Sequence, residues 1–234
     1  MKINTIINIL SIFCFTFVNA QIDYSEFKGK KIKTSLEVNL ENAHFKQYGS
    51  EFMQKYIEIN IKNKKNTLNT PENTLISYYS ASNKASYKEL FKGDLIKISS
   101  NELKNREKSD TLQSTIRFIH RLTFDYKNKP VTFFKYKLLK DSILSAPKLL
   151  VMEKQADNSW IIINSSSFEN TKYAIKHITS KGFWQFISNH DDVKYPEINK
   201  LKPLVQDSKG VLDIEKLGEV LKNNKTALKK YIDN

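Results

Sequence analysis

Residues 115–140 read TIRFIHRLTFDYKNKPVTFFKYKLLK and carry the strongest periodic pattern of the chain. In the first half, side chains at even-numbered positions form one largely apolar set: Ile116, Phe118, His120, Leu122, Phe124 and Tyr126. A period of two is typical of a β-strand with one buried face. A second alternating run covers 131–139, after the polar loop 127–129 and Pro130. The two runs predict a hairpin.

The alternation also predicts the register of this hairpin. With Asn128 at the centre of the turn, the facing pairs are Phe124 and Thr132, Leu122 and Phe134, His120 and Tyr136, and Phe118 and Leu138. The apolar sides of the two strands then coincide, whereas a slip of one residue would oppose them. We therefore expect one buried apolar face that holds Phe118, Leu122, Phe124, Phe134 and Leu138.

The opposite face of the hairpin is expected to be basic. Four positively charged side chains share its parity: Arg117, Arg121, Lys135 and Lys137. The register sets Arg121 directly against Lys135, and like charges in that position destabilise a sheet. We expect acidic side chains of the C-terminal helices, such as Asp213, Glu215 or Glu219, or an acidic partner, to relieve this repulsion. The four basic residues are therefore a predicted binding surface.

Two further strands continue the pattern at 149–154 and 160–164, with a turn of Asp and Asn between them. Three consecutive isoleucines, 161–163, indicate a strand that is covered on both faces. The sequence thus predicts an α+β protein with a four-stranded antiparallel meander over about residues 115–165. Helices precede this meander, and the region after it is mainly helical.

Residues 1–20 have the pattern of a secretory signal. Lys2 supplies a positive charge, residues 6–18 are mostly apolar, and Val18-Asn19-Ala20 has the small residues of a cleavage site. The apolar run is shorter than the ~20 residues of a membrane-spanning helix. We expect cleavage before Gln21, no membrane span afterwards, and secretion to the periplasm or cell surface of a bacterium. Cys14, the only cysteine of the chain, lies inside the signal, so no disulfide is expected.

The region between the signal and the meander divides into an appendage, 21–69, and a helical start. Residues 21–29 are expected to be frayed, 31–40 alternate like a strand, and 50–62 fit either a helix or a strand, with the helix favoured. Thr70 and Pro71 have the types of an N-cap and a first helical residue. A second short helix is expected at 86–91, and Ser99 with Glu102 matches the start of a third.

Three segments together resemble the nuclear transport factor two-like superfamily, whose cone-shaped α+β fold includes ketosteroid isomerase and SnoaL-type cyclases. They are TPENTLISYYSASN at 70–83, YKELF at 87–91 and VMEKQADNSWII at 151–162. The resemblance implies a cone domain at 70–168 with a pocket between the helices and the concave sheet face. Members use this pocket for acid–base chemistry or for binding. The strand at 31–40 and the region 169–234 depart from the family.

The C-terminal region 169–234 is expected to form helices that could cover the sheet, form a homodimer or receive a partner. Asp213 is expected to cap the helix that starts at Ile214. Pro196 and Pro203 indicate an extended connector. His190-Asp191-Asp192 is interpreted as a loop, because no metal-ligand spacing occurs there or elsewhere.

Only His120 and Tyr136 qualify as candidate catalytic residues. An imidazole beside a phenol could shuttle a proton at a carbon or carbonyl substrate. The alternative is a core histidine whose nitrogens are satisfied by Tyr136 and a backbone carbonyl. No carboxylate shares the predicted face, which counts against an isomerase. We expect no metal and no cofactor.

The formal net charge of +13 at pH 7 favours anionic partners. The lysines are scattered and no nucleic-acid-binding motif is present, so nucleic acid is not expected. A solvated lysine surface without a partner is the alternative. These observations favour a secreted, non-catalytic binding or accessory protein. An isomerase, dehydratase or cyclase that uses the cone pocket is the first alternative, and a binder of anionic surfaces is the second.

Overall fold

The computed structural model describes residues 20–27, 30–49, 57–60, 67–81, 84–91, 115–163, 168–187, 196–207 and 211–233. Three predictions fall on residues outside these ranges. They are the signal at 1–20, of which only Ala20 is described, the third helix near Ser99 and the loop His190-Asp191-Asp192.

A single antiparallel sheet dominates the part of the chain that the structure describes. Its strands are β1 (Ala20–Phe27), β2 (Lys30–Asn39), β3 (Ala43–Tyr48), β4 (Ile57–Asn60), β5 (Thr115–Tyr126), β6 (Lys129–Lys140), β7 (Ile143–Leu144), β8 (Lys148–Lys154) and β9 (Trp160–Ile162). The order across the sheet is β1-β2-β3-β5-β6-β8-β9, while β4 pairs with β5 and β7 with β6. The predicted meander is confirmed, and the N-terminal strands extend its sheet.

Six α-helices accompany the sheet within the described residues. They are α1 (Pro71–Ser80), α2 (Lys84–Lys88), α3 (Glu169–His177), α4 (Ser180–Ile187), α5 (Pro196–Val205) and α6 (Ile214–Asn223). The predicted α+β class is therefore correct, including the helical C-terminal region. None of the helices in the described ranges is long and apolar enough to cross a membrane.

The N-terminal predictions were right for one strand and wrong for two segments. The strand predicted at 31–40 is β2. Residues 21–27, expected to be frayed, belong to β1 and pair with β2. The end of the segment for which a helix was favoured is β4, which pairs with the start of β5 from Ile57 opposite Phe118 to Asn60 opposite Thr115. This pairing explains the alternation of Ile57 and Ile59, which helical spacing does not.

The β5–β6 hairpin has a different register from the predicted one. Its turn has two residues, Lys127 and Asn128, both with positive φ, so Tyr126 pairs with Lys129 rather than with Pro130. This geometry matches the right-handed twist of paired strands. The register near the turn is therefore shifted by one residue, and Leu122 faces Phe133 while Arg121 faces Phe134.

An irregularity at Ile119 then changes the face to which β5 directs its side chains. Phe118 pairs with Tyr136 and His120 with Lys135, so Ile119 has no partner of its own in β6. A bulge of this kind adds one residue to one strand and reverses its alternation. Side chains at even-numbered positions before and after Ile119 therefore lie on opposite faces. The prediction of one apolar face and one basic face is wrong, because both faces are buried.

The face that packs against α1 and α2 is here called the α1 face. Its sheet residues are Tyr48, Ile116, Phe118, Phe134, Tyr136, Met152 and Ile162. α1 begins as predicted, because the Thr70 hydroxyl accepts a hydrogen bond from the Asn73 N–H at 3.1 Å. Leu75, Tyr87 and Leu90 complete this half of the core. Of the three isoleucines expected to be covered, Ile161 and Ile162 are buried in β9 and Ile163, just after it, is partly buried.

The opposite face, called the α3 face, packs against the C-terminal helices. Its sheet residues are Val38, Phe45, Leu122, Val131, Phe133 and Val151, in contact with side chains such as Ile175, Phe183 and Leu217. The segment from Pro196 to Val205 is helix α5 and not an extended connector. Pro196 occupies its first turn, where no N–H is needed, and Pro203 lies in its last turn.

Contacts over long sequence distances hold the C-terminal region against the sheet. The Asn42 side chain donates to the Leu212 carbonyl at 3.0 Å and accepts from the Leu212 N–H at 3.4 Å. Ile232 pairs with Ile178 between α3 and α4, and Asp233 forms an ion pair with Lys135 of β6. Asp213 caps α6 as predicted, since it accepts a hydrogen bond from the Lys216 N–H.

Candidate functional site

His120 lies on the α3 face, beneath α3 and α4. Its side chain has no exposed surface, and its ring is 5.5 Å from that of Phe45 and 6.2 Å from that of Phe183. Nδ1 is 2.9 Å from Ser180 Oγ, and Nε2 is 3.3 Å from the Ile175 carbonyl oxygen. Both ring nitrogens are therefore satisfied within the core.

The imidazole of His120 is neutral at pH 7. Burial holds its pKa well below 6.5, and the Lys135 ammonium lowers the pKa further, while the hydrogen bond to Ile175 opposes both. A carbonyl can only accept, so Nε2–H donates to Ile175 and Nδ1 accepts the Ser180 hydroxyl proton. The alternative of a satisfied core histidine describes this geometry, with Ser180 in the place expected for Tyr136.

Tyr136 lies on the α1 face, on the other side of the sheet from His120. The predicted contact between the two residues is wrong, because the shifted turn and the bulge at Ile119 set Tyr136 opposite Phe118. Tyr136 Oη is instead 2.8 Å from Tyr79 Oη of α1. The structure therefore does not assemble the acid/base pair that the sequence suggested.

An aromatic wall surrounds this tyrosine pair. It consists of Tyr78, Tyr79, Tyr87, Phe91 and Tyr136, each in ring contact with at least one other member. The distances between ring centroids run from 4.9 Å for Tyr87 and Phe91 to 6.1 Å for Tyr78 and Phe91. The rings of α1, α2, Phe91 just after α2, and Tyr136 of β6 thus form a continuous aromatic surface.

The four basic residues predicted to share one face are divided between two. Arg121 lies on the α1 face, while Lys135 lies on the α3 face, where it pairs with His120. Arg117 and Lys137 pair with each other on the α3 side of the sheet. The predicted opposition of Arg121 and Lys135 is therefore wrong, because Arg121 is separated by the sheet from the other three residues.

Internal acids neutralise three of the four charges. Arg117 pairs with Glu58 at 2.6 Å, Arg121 with Glu72 at 3.2 Å, and Lys135 with Asp233. The acids that pair with these charges are thus Glu58, Glu72 and Asp233, and not the predicted acids of the C-terminal helices. Asp213 caps α6 and Glu215 accepts from the Thr171 hydroxyl, while Glu219 is exposed on α6.

Lys135 is the most unusual of these charges, because its side chain is 0% exposed. Its ammonium donates to Asp233 and to the Ile178 carbonyl at the junction of α3 and α4. An ammonium in the interior requires a counterion and further hydrogen bonds. Lys135 is therefore a structural charge and is not accessible to a ligand.

A groove of about 1140 Å³ lies at the edge of the sheet and is here called the side groove. The aromatic wall forms one side, and α3 with Lys222 of α6 forms the other. Its floor is the edge of β8 and the segment before it, together with the end of β9. The floor residues are Ser145, Ala146, Pro147, Lys148, Leu149, Leu150, Val151, Ile162 and Ile163.

Lysines outnumber acids among the described residues that line the groove. Lys148, Lys172, Lys176 and Lys222 line it, against one acid, Glu169. Glu169 already pairs with Lys172 at 3.0 Å. Neither Lys148 nor Lys176 forms a salt bridge with any residue that the structure describes. The groove is therefore electropositive at pH 7.

Tyr173 of α3 concentrates positive charge on the same side. The ammonium groups of Lys222 and Lys225 lie 5.2 and 5.3 Å from the centroid of its ring. The neighbouring His177 adds no charge at pH 7, because burial lowers its pKa below 6.5 although the hydrogen bond to Asp233 opposes this shift. An anionic group bound here would meet two or more ammonium groups.

Sequence reasoning found Tyr136 but missed the rest of the groove. The sequence carries no clear signal for it, because the predicted strands 149–154 and 160–164 are nearly equal in length, whereas β8 has 7 residues and the described part of β9 has 3. A short terminal strand leaves part of its neighbour's edge without a partner. The wrong register placed the expected site on the broad face of the sheet instead.

The side groove contains no recognisable metal-ligand set. Among the described residues, no group of three or more His, Cys, Asp or Glu side chains could hold a metal ion. The groove lining is aromatic, aliphatic and cationic. Such a lining suits an organic ligand with negative charge.

Comparisons with known proteins add no family to this description. Neither protein-family models, nor curated proteins, nor solved structures give a match to the chain. The class that the fold and groove define is an α+β protein with a two-faced antiparallel sheet and an electropositive groove at its edge.

Proposed function

We propose that the protein is a non-catalytic binding or accessory protein whose ligand occupies the side groove. The groove itself carries this proposal, since it combines about 1140 Å³ of space with an aromatic wall and a row of lysines. Pockets of this size and lining are typical of binding sites for small molecules and extended chains. His120, the histidine suggested for chemistry, is sealed on the far side of the sheet.

Export to a bacterial envelope is part of the proposal and rests on the pattern of residues 1–20. The resemblance to the cone fold is part of it as well. The packing of α1 and α2 against one face of the meander supports that resemblance, as does the contact of Tyr136 in β6 with Tyr79 of α1. The four helices on the opposite face depart from a simple cone.

The anionic partner that the net charge suggested belongs to the groove in this proposal. Arg117, Arg121 and Lys135 are engaged by internal acids. The groove lysines Lys148 and Lys176 keep exposed side chains. An anionic ligand therefore has accessible ammonium groups only a short distance from the aromatic wall.

A blocking variant tests the proposal. Ala146 is exposed in the groove floor, so Ala146→Trp should fill the groove without disturbing the core. Ala227→Trp places the same side chain at another exposed alanine, outside the groove. We would use exported protein, whose first residue should be Gln21, and measure thermal stabilisation by acidic peptides, acidic oligosaccharides and fatty acids.

The expected result is stabilisation of the parent protein and of Ala227→Trp by one of these ligand classes, and none of Ala146→Trp. Equal stabilisation of both variants would place the ligand elsewhere and refute the groove as the binding site. Turnover of a bound ligand by the parent protein would refute the non-catalytic part.

A further inference from the structure

The floor of the side groove contains part of a sheet edge that no strand in the described ranges pairs with. β6 pairs with β8 from Lys148 to Glu153 on one side. On the other side β9 pairs only with the stretch from Met152 to Lys154. From Lys148 to Leu150, no strand that the structure describes pairs with this outer edge. An unpaired edge is a template for an additional strand.

The backbone of Leu149 is directed towards the groove. The Val151 carbonyl accepts from the Ile163 N–H at 3.0 Å, so the polar backbone groups of Val151 point away from β6. Residues two apart in a strand direct these groups to the same side. The N–H and C=O of Leu149 therefore point outward, and the next such residue, Pro147, offers only its carbonyl.

The two sides of the groove differ in chemistry, and they correspond to the two faces of the sheet. The aromatic wall stands on the α1 face. Lys172, Lys176 and Lys222 stand on the α3 face. Alternate side chains of a strand added to β8 would point to these two faces in turn.

We propose that the side groove binds an acidic extended peptide, which adds to the outer edge of β8 as an antiparallel strand in line with β9. This inference rests on the proposed function and names the ligand of the same site. Backbone hydrogen bonds to Leu149 and to the Pro147 carbonyl hold the peptide, and side-chain contacts select it. Its acidic side chains face the lysines on the α3 side, and its apolar or aromatic side chains face the aromatic wall.

This geometry couples side-chain chemistry to backbone pairing. In an antiparallel pair, a residue that exchanges hydrogen bonds with Leu149 has its side chain on the same face as Leu149. Leu149 belongs to the α3 face. The acidic residues are therefore the ones whose N–H groups bond to β8, while the N–H groups of the apolar residues point to solvent.

The experiment uses a capped octapeptide in which glutamate and valine alternate. One derivative is N-methylated at the glutamates, which blocks the bonds to β8, and a matched derivative is N-methylated at the valines, which leaves them intact. A third carries glutamine in place of glutamate. Binding to the same exported protein is measured by calorimetry, with an acidic oligosaccharide of equal charge as a comparison.

We expect the valine-methylated peptide to bind within about twofold of the parent peptide. The glutamate-methylated peptide should bind at least tenfold more weakly, because the loss of about one hydrogen bond raises the Kd roughly tenfold. The glutamine peptide should also bind about tenfold more weakly. In the protein, Lys176→Glu should weaken binding about tenfold, while Lys200→Glu, an equal charge change at an exposed site on α5, should change it by less than about twofold.

Equal binding of the two N-methylated peptides, absence of peptide binding, or tighter binding of the oligosaccharide would overturn strand addition. These outcomes would leave the proposed function intact if Ala146→Trp still abolishes ligand binding. Loss of that effect would instead refute the groove as a site, so the two failures are distinguishable.

Discussion

His120 shows how the environment of one residue decides between a chemical and a structural role. The side chain is completely buried, and its two nitrogens bond to Ser180 and Ile175. A general base needs a nitrogen that can reach a substrate. In His120 both nitrogens are committed to the core, and the residue contributes packing and hydrogen bonds to the interface between β5 and α3.

The buried imidazole makes the stability of the protein depend on pH. Burial lowers the pKa of His120 in the folded state well below 6.5, whereas the unfolded imidazole binds a proton as the pH falls through about 6.5. The unfolded state therefore binds more protons, and stability is lost as the pH falls below this value. We expect the free energy of unfolding to decrease by up to about 1.4 kcal/mol per pH unit between roughly pH 6.5 and 5.

Urea unfolding at several pH values measures this dependence, and His120→Gln is the control. The variant keeps a polar side chain but cannot titrate, so its stability should change less steeply over the same range. His44→Gln is the comparison at a partly exposed histidine, whose pKa burial also lowers, so this variant measures how much of the slope comes from a second imidazole. A slope that persists in His120→Gln would assign the effect to another group.

Among the elements, α3 is the most closely constrained by its neighbours, because it lies between the sheet, the groove and α6. Its approach to α6 depends on Gly218, where an added Cβ would lie 2.1 Å from the Asn170 backbone oxygen. The contact involves backbone on the α3 side, so rotation of a side chain cannot relieve it. The same approach sets the position of Lys222 beside Tyr173.

We therefore expect Gly218→Ala to destabilise the protein by about 2–3 kcal/mol, although alanine favours helices in general. The two helices must separate, and groove binding should weaken as well. Chemical unfolding and ligand titration measure the two effects. Val220→Ala, on the same helix, removes a partly buried side chain without creating a clash. A Gly218→Ala variant as stable as the parent would contradict the close packing.

On the scale of the whole molecule, the sheet separates two hydrophobic cores, and its α3 face carries a buried ion pair. Lys135 and Asp233 form this pair, and the ammonium is fully buried. The Ile178 carbonyl also accepts from this ammonium and ties it to the turn between α3 and α4. The ion pair thus connects the centre of the sheet to the C-terminal region.

Removal of the Asp233 carboxylate should destabilise the protein. We expect Asp233→Ala to lower the free energy of unfolding by about 2–4 kcal/mol, because Lys135 keeps a buried charge without its counterion. Lys135→Met combined with Asp233→Ala should recover most of this loss, since the buried charge is gone. A double-mutant cycle by urea unfolding measures the coupling. Additive effects of the two changes would show that the pair does not act as a unit.

The sequence predicted the parts of this fold that depend on local pattern. Four features follow from alternation or from short-range chemistry: the strands of the meander, the Thr70 cap of α1, the Asp213 cap of α6, and the burial of Ile161 and Ile162. These features are determined by residues within a few positions of each other. They needed no knowledge of the tertiary structure.

The register and the site depended on features without a local signal. Lys127 is not a residue type that suggests positive φ, so the sequence favours a three-residue loop at 127–129 over the two-residue turn. Both faces of β5 are buried and carry apolar side chains. An apolar residue such as Ile119 fits either face, so nothing in the sequence marks it as a bulge. Because of these two residues, His120 and Arg121 lie on faces other than the predicted ones. The expected pair of His120 and Tyr136 is therefore not formed.

The contact between Asn42 and Leu212 has a consequence for the rate of folding. The two residues are 170 positions apart, so a very long loop must close before the contact stabilises anything. Proteins rich in such distant pairings fold in milliseconds to seconds rather than microseconds. During that interval the strands of the α3 face lack their helical cover, and their apolar side chains are open to other chains. Aggregation during refolding should therefore increase steeply with protein concentration, at concentrations where the folded protein does not associate.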